Sequence, residues 1–221
     1  MINTDLQLKQ DIQEELAWDP KINAAQIEVI VEDGATRLRG HVDTYAEKWA
    51  AEDACRRVSG LRSLADDLAV RLPPNHVRKD SELTTAVLNA LQWDVLVPNT
   101  VHATVQAGVV NLTGSAKWNF QRTAALRAVR NLTGVVAVHS GISLESNASA
   151  KEVHEQIRSA LRRQAVADSN AIHVETAGGK VTLTGHASSW QSIEDAASAA
   201  WAAPGVTEVI DQVKLMMEVP E

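Results

Sequence analysis

The sequence predicts an α+β protein: three tandem α-β-β-α-β modules, each a small mixed three-stranded sheet covered on one face by two helices. Three observations carry this reading. A Leu-x-Gly motif, a run of helical residues and a second glycine recur at Leu38 to Gly60, Leu112 to Gly134 and Leu183 to Gly205, with the two glycines 20 residues apart in every copy. A turn glycine (Gly34, Gly108, Gly179) lies six residues before each motif glycine (Gly40, Gly114, Gly185). An amphipathic stretch with apolar residues at i, i+4 and i+8 precedes each hairpin, the spacing of one helical face. A period of about 70 residues makes the repeat, not the chain length, the guide to domains. The expected boundaries are 1–74, 75–147 and 148–221 of the 221 residues.

In the first module, Thr4 and Gln7 have the spacing of a capping box, and Leu8, Ile12 and Leu16 form the inner stripe. The helix should stop near Asp19-Pro20, because the residue before a proline is pushed out of the helical region. Ile27, Val29 and Val31 alternate as a strand, and Asp33-Gly34 suits a tight hairpin turn. A second strand runs through Thr36 and Leu38 to Gly40. A helix from about Thr44 to Val58 turns Ala51, Ala54 and Val58 inward, and Gly60 follows it as a C-cap glycine. Leu64, Leu68 and Val70 mark the third strand, and Pro73-Pro74-Asn75 is a stiff linker.

The second module repeats this order. Asp80 or Ser81 caps a helix with Leu83, Val87 and Leu91 inward, and Pro98-Asn99 ends the connection. Val101, Ala103 and Val105 alternate, Gly108 turns, and Val110 and Leu112 lead to Gly114. Ala125, Ala128 and Leu132 line the next helix, Gly134 ends it, and Val138, Ile142 and Leu144 form the last strand. Glu145-Ser146-Asn147 is a polar linker. The third module opens with a capping box, Ser149 and Glu152, and an inner stripe of Val153, Ile157 and Leu161. Ile172, Val174 and Thr176 alternate, Gly178-Gly179 turns, and Val181 and Leu183 lead to Gly185. Ala196, Ala199 and Ala203 line its last helix, which closes at Pro204-Gly205, and Val209, Val213 and Leu215 finish the sheet.

Modules this small bury only about 60% of the surface of their unfolded chain, so each gains from packing against a neighbour or another copy. Edge strands offer surfaces for such pairing. The net charge of −7 is unevenly spread: −5 over residues 1–74, +2 over 75–147 and −4 over 148–221. That balance argues against nucleic acid as a partner, since such a partner needs a basic face to displace its counterions. Only the middle module is basic enough to approach anionic lipid or an acidic neighbour. Met1 to Leu16 carries five charged residues and no apolar run, which is not the pattern of a signal peptide. The expectation is therefore a cytoplasmic protein, or a periplasmic one if a signal peptide has been removed.

The Leu-x-Gly motif, the following helix, and Gly-Val (Gly-Leu in the first module) before an alternating strand resemble the BON domain, named for bacterial osmotically inducible and nodulation proteins. The resemblance covers nearly the whole chain and rests on Gly40, Gly114 and Gly185 with Gly60, Gly134 and Gly205. It implies a non-enzymatic module associated with osmotic stress, transport and the bacterial envelope, for which phospholipid binding is commonly proposed. One cytosolic relative joins this domain to a LysM domain and senses potassium; no LysM-like extension is present here.

Candidate chemistry is sparse, and neither a catalytic group nor a cofactor is expected. His41 and His186 follow motif glycines, and His102 and His173 match on first strands, but they belong to different modules and metal binding needs converging ligands. The motif glycines fit neither phosphate-loop spacing; a special backbone angle is the simpler role. Cys55 reads as a small buried residue. The pairs Glu14-Glu15 and Asp66-Asp67 read as solvated. Trp18 and Trp93 match at the ends of first helices, and Trp118 and Trp190 near the starts of second helices, with Trp49 and Trp201 elsewhere on those helices. Core closure is the leading expectation for these rings, and a contact surface the other. Exposure of Trp18 and Trp93 would favour contact. Arg122, Arg127 and Arg130 are the candidate basic face. The reading is a binding or scaffold protein contacting proteins or a membrane surface, with self-association allowed. A peripheral phospholipid binder, or a small-ligand or cation sensor using clefts between modules, are the alternatives.

Overall fold

The computed structural model describes residues 5–145, 150–163 and 171–215. The first repeat contains α1 (Asp5–Trp18), β1 (Ile27–Glu32), β2 (Ala35–Val42), α2 (Tyr45–Arg57) and β3 (Ser63–Val70). The second contains α3 (Asp80–Trp93), β4 (Val101–Gln106), β5 (Val109–Ala116), α4 (Asn119–Arg130) and β6 (Ala137–Leu144). The third contains α5 (Ala150–Arg163), β7 (Ile172–Ala177), β8 (Lys180–Ala187), α6 (Trp190–Trp201) and β9 (Glu208–Leu215). Thr4 of the first capping box, Ser149 of the third, and Ser146-Asn147 of the second linker lie outside the described residues.

The strands form three sheets, ordered β1-β2-β3, β4-β5-β6 and β7-β8-β9. In the first and third, the opening hairpin is antiparallel and the last strand runs parallel to the central one. A parallel neighbour cannot be reached by a tight turn, so a helix must cross over between the second and third strands. That helix is α2 in the first repeat and α6 in the third. The predicted α+β modules are therefore the observed ones.

The inner stripes are Leu8, Ile12 and Leu16 on α1, Leu83, Val87 and Leu91 on α3, and Val153, Ile157 and Leu161 on α5, all buried. They meet Val29 and Leu38 in the first repeat and Val174, Val181 and Leu183 in the third. The crossover helices present small residues to the sheet: Ala51, Ala54 and Cys55 on α2, Ala124 and Ala125 on α4, and Ala196, Ala199 and Ala200 on α6. The outer face carries charges such as Arg37, which pairs with Asp67 at 3.3 Å.

The hairpin turns have two consecutive residues at positive φ: Asp33 (50°) and Gly34 (75°), Ala107 (51°) and Gly108 (75°), Gly178 (56°) and Gly179 (86°). This backbone matches the twist of the flanking strands. The first residue of the preceding helix holds two of these turns. The Asp5 carboxylate accepts the Asp33 and Gly34 amides at 2.8 and 2.9 Å. Asp80 accepts those of Ala107 and Gly108 at 2.7 and 3.0 Å. The sequence suggests Asp80 only as a cap; its longer-range partner is the turn. The crossover helix α2 has its own capping box. Thr44 Oγ1 accepts the Glu47 amide, and the buried Glu47 carboxylate accepts the amides of Asn23 and Asp43 at 2.7 and 2.9 Å.

By packing, the chain divides into two compact units. The first comprises Met1–Ala90, Ala103–Asn111 and Arg127–His139; the second comprises Leu91–His102, Leu112–Leu126 and Ser140–Glu221. The division passes through the second repeat, so one part of it packs with the first repeat and another with the third.

Two outcomes follow from this geometry. Gly114→Ala should lower stability by roughly 3 kcal/mol or more, because the substituted residue is both strained at positive φ and overlapped by backbone. Gly141→Ala is the control, since its added Cβ meets nothing nearer than the Leu112 carbonyl oxygen at 3.4 Å and Thr113 Cγ2 at 3.8 Å. Urea unfolding of both variants checks this. Asp80→Ala should cost about 1–3 kcal/mol by orphaning two amides. Hydrogen exchange at Ala107 and Gly108 should accelerate selectively, and unchanged protection there would refute the clamp.

Candidate functional site

The most exposed tryptophans stand where the first helices of two repeats end. Trp18 and Trp93 are the last residues of α1 and α3 and are 84% and 86% exposed. Val95 and Leu96 follow Trp93 and are 94% and 42% exposed. Core closure, the leading sequence expectation for these rings, does not hold for this pair. The stripe already ends at Leu16 and Leu91, and a residue two positions further points about 200° around the helix, away from the sheet. Trp118 and Trp190 are half-buried at the starts of their helices. The Lys117 ammonium lies 5.9 Å from the Trp118 ring centroid.

The crossover helices supply a second kind of site, where consecutive repeats touch. Within the first compact unit, the Arg130 guanidinium of α4 stacks 3.6 Å from the centroid of Trp49 on α2. One turn before Trp49, Tyr45 takes a hydrogen bond from the backbone of Val138, on the edge strand β6. Within the second compact unit, Arg122 of α4 lies 4.9 Å from the centroid of Trp201 on α6. Asn119 Oδ1 accepts from the same guanidinium at 2.6 Å. Burial pulls both arginines below their usual pKa, with Arg127 adding repulsion at Arg130. Both remain charged, since arginine does not deprotonate in proteins. Cation–π contacts strengthen with such desolvation. Of the candidate basic face, then, Arg122 and Arg130 each lie against a ring, while Arg127 is exposed.

Beneath the first seam is a carboxyl pair. Burial raises Glu52 from 4.5 to about 7, and its hydrogen bond to Asp66 pushes in the same direction. Burial also pushes Asp66 up, but hydrogen bonds from Glu52, the Leu68 amide and Lys48 outweigh it and hold Asp66 below its ordinary range. The Lys48 ammonium is 3.0 Å from Asp66 and 2.7 Å from the Leu68 carbonyl oxygen. Within this pair Glu52 is thus the group that holds a proton more readily and Asp66 the one favoured as carboxylate. Asp66 is not the solvated residue its sequence context suggests, because its strand position turns it under α2. Glu15 departs similarly, pairing with Arg57 at 2.9 Å.

Other candidates acquire structural roles. Cys55 is fully buried, and burial, with the nearby Asp66 and Glu52, pushes its thiol up to about 12. It remains a neutral thiol, as the sequence suggests. Each motif glycine has φ between 115° and 120°. A Cβ on Gly40, Gly114 or Gly185 would collide with the carbonyl oxygen of Gln26, Thr100 or Ala171 respectively. Gly60, Gly134 and Gly205 also adopt positive φ. Among the described residues, no three His, Cys, Asp or Glu side chains gather as a metal site, and no helix is long and apolar enough to cross a membrane.

The carboxyl pair generates a pH prediction. The folded chain holds the Glu52 proton more tightly than the unfolded chain, so the stabilising contribution is complete below about pH 4.5 and is lost as pH rises through about 7. Asp66 acts oppositely, contributing above its ordinary range and losing that contribution in acid. Glu52→Gln keeps a donor for Asp66 without the ionisation. Its unfolding midpoint should be nearly flat from about pH 5 to 8 and exceed that of the parent at the upper end. Parallel pH profiles for the two proteins would refute the raised pKa of Glu52.

The BON domain family profile matches residues 4–71, 79–146 and 149–217, one match per repeat. No curated protein matches the chain by sequence. Among solved structures, the chain is similar to the C-terminal domain of CdsD, described as the structural protein of the Type III secretion system of Chlamydia trachomatis. The identity is 14%, with 97% of this chain and 100% of that chain covered and a TM-score of 0.28. It is also similar to the periplasmic domain of the Type III secretion inner membrane protein PrgH from S. typhimurium, at 12% identity over 88% of this chain and 95% of that one, with a TM-score of 0.21. With its three repeats each matched from first helix to last strand, the chain belongs to the BON domain family.

Proposed function

We propose that this chain is a non-enzymatic binding and scaffold protein of three BON modules, 1–74, 75–147 and 148–221, that engages a protein partner through the ends of its first helices. The observation that carries this is the exposure of Trp18 and Trp93 at the same position in two repeats. A tryptophan exposed at the same place on two folded modules is suited to contact, since such rings dominate binding energy where they become buried. Val95 and Leu96 extend the apolar surface beside Trp93. Asp94, which adjoins Trp93, is acidic and discourages an anionic membrane, whereas Asp19 beside Trp18 is paired with Arg57 at 3.8 Å. Arg122 and Arg130, which a lipid-binding face would call on, lie against Trp201 and Trp49. A stress- or transport-associated setting is the family's contribution to this reading.

A photo-reactive amino acid replacing Trp93 tests the proposal in cells. The expected result is a discrete protein adduct, and Trp18→Ala should weaken its formation if both tips engage the same partner. Co-sedimentation with phosphatidylglycerol vesicles and with neutral vesicles provides the opposing outcome. Pelleting of the parent that is lost in a Trp18→Ala/Trp93→Ala protein would replace the protein-partner reading with a phospholipid one.

A further inference from the structure

We infer that copies of this chain associate head to tail, with the N-terminal half of α6 in one copy docking on the end of α2 and the β3 edge in the next. The inference concerns the crossover helices and does not depend on the tryptophan tips. It starts from the two seams, which join the same two parts of successive crossover helices. In the first, Trp49 lies nine residues after its motif glycine and meets Arg130, which lies sixteen after its own. In the second, Arg122 lies eight after its motif glycine and meets Trp201, sixteen after its own. Each time the early half of one repeat's crossover helix meets the late end of the next repeat's. Aromatic ring and guanidinium exchange places, and the early-half position shifts by one residue, the counterpart of Arg122 in α6 being the buried Ile193.

Such a contact is heterologous: the surface a repeat offers to its successor differs from the one it offers to its predecessor. Three repeats in one chain make two of these contacts and leave one surface of each kind without an internal repeat. The late end of α2 is one of them. The counterpart there of Arg130 and Trp201 is Arg56, which is exposed. The early half of α6 is the other. The counterpart there of Trp49 is Glu194, also exposed. Placed as the internal seams are, Glu194 of one copy would face Arg56 of the next. An ion pair would stand where the first seam has a cation over a ring.

The neighbouring positions agree in part. Tyr45, five residues after its motif glycine, is hydrogen-bonded by the backbone of Val138 on edge strand β6. Its counterpart in the third repeat is Trp190, half-buried at the first turn of α6, whose ring could supply apolar contact there but whose indole N–H only donates and so would not take the place of the Tyr45 hydroxyl as acceptor. The counterpart of Val138 in the first repeat is the half-buried Leu64, on β3, which is likewise an edge strand. The occupant is therefore a second copy of the same chain, chosen by correspondence with the internal seams and by opposite charge.

Sedimentation velocity of the full chain over a range of concentrations and salt tests this. The parent should show mass rising with concentration past the dimer, since a heterologous contact does not close after two copies unless a ring forms. Glu194→Arg alone and Arg56→Glu alone should each weaken association about tenfold, because each sets like charges opposite one another. Mixing the two variants should restore it, since each then faces its opposite. Both positions are exposed, and circular dichroism of each variant verifies its fold. A parent that stays monomeric at high concentration and low salt, or variants that do not complement on mixing, would overturn the inference. Association that stops at a dimer and ignores both substitutions would place the interface elsewhere.

Discussion

The constraint beneath the whole architecture is the contact between a glycine in each central strand and a carbonyl oxygen at the start of the strand beside it. At Gly40, Gly114 and Gly185 the backbone takes a φ that residues with side chains avoid, and the oxygen of Gln26, Thr100 or Ala171 occupies the space a Cβ would need. In the first and third repeats the contact ends the hairpin ladder, at Ile27↔Gly40 and Ile172↔Gly185. The central strand then continues alone beside its parallel neighbour, to Val42 and Ala187. Beyond that point the chain is free to turn into the crossover helix. The two-residue turn fixes one end of the hairpin and the glycine the other, so register cannot slip by a residue without exchanging the sheet's two faces.

Because register is set locally, each repeat can carry a thin crossover helix. Alanines on the inner faces of α2 and α6 let those helices lie close to their sheets. The larger rings on the same helices fall at the edge of the core, where Trp201 packs against it and Trp49 stays 41% exposed. Each is met by an arginine of α4. The second repeat thus supplies cations to both seams, in accord with its being the one module of positive charge.

Most of the fold was legible because its determinants are local. The stripes Leu8/Ile12/Leu16 and Val153/Ile157/Leu161 announce themselves at helical spacing, and Asp33-Gly34 and Gly178-Gly179 announce hairpin turns by residue type. Ala107 gave no such signal, since alanine has no preference for the φ of 51° it adopts there. Only the Asp80 carboxylate, 27 residues earlier in the chain, shows what secures it. Function was less legible for a related reason. Arg122, Arg127 and Arg130 form a cluster in sequence, yet Arg122 and Arg130 sit about 12 Å apart along α4 by helical rise. Neighbouring repeats separate them further by giving each a different ring. The raised pKa of Glu52 depends on burial against Asp66, which no spacing rule links across the crossover. The tryptophan tips were partly legible: their equivalence was visible in the sequence, their exposure was not.

The two classes of aromatic site answer different physical demands. A cation over a ring at a partly dry seam gains from desolvation, so Trp49 and Trp201 contribute most when the repeats around them are packed. Trp18 and Trp93 stand at helix ends where none of the described elements covers them, and on the proposed reading they gain when a separate molecule supplies the apolar surface. A fold that needed these rings for its own core would have placed them two residues earlier, where leucines already stand at Leu16 and Leu91. Their position past the end of the stripe leaves each module's stability independent of them. A change at either tip would therefore leave the fold intact, which suits the recognition role proposed for it.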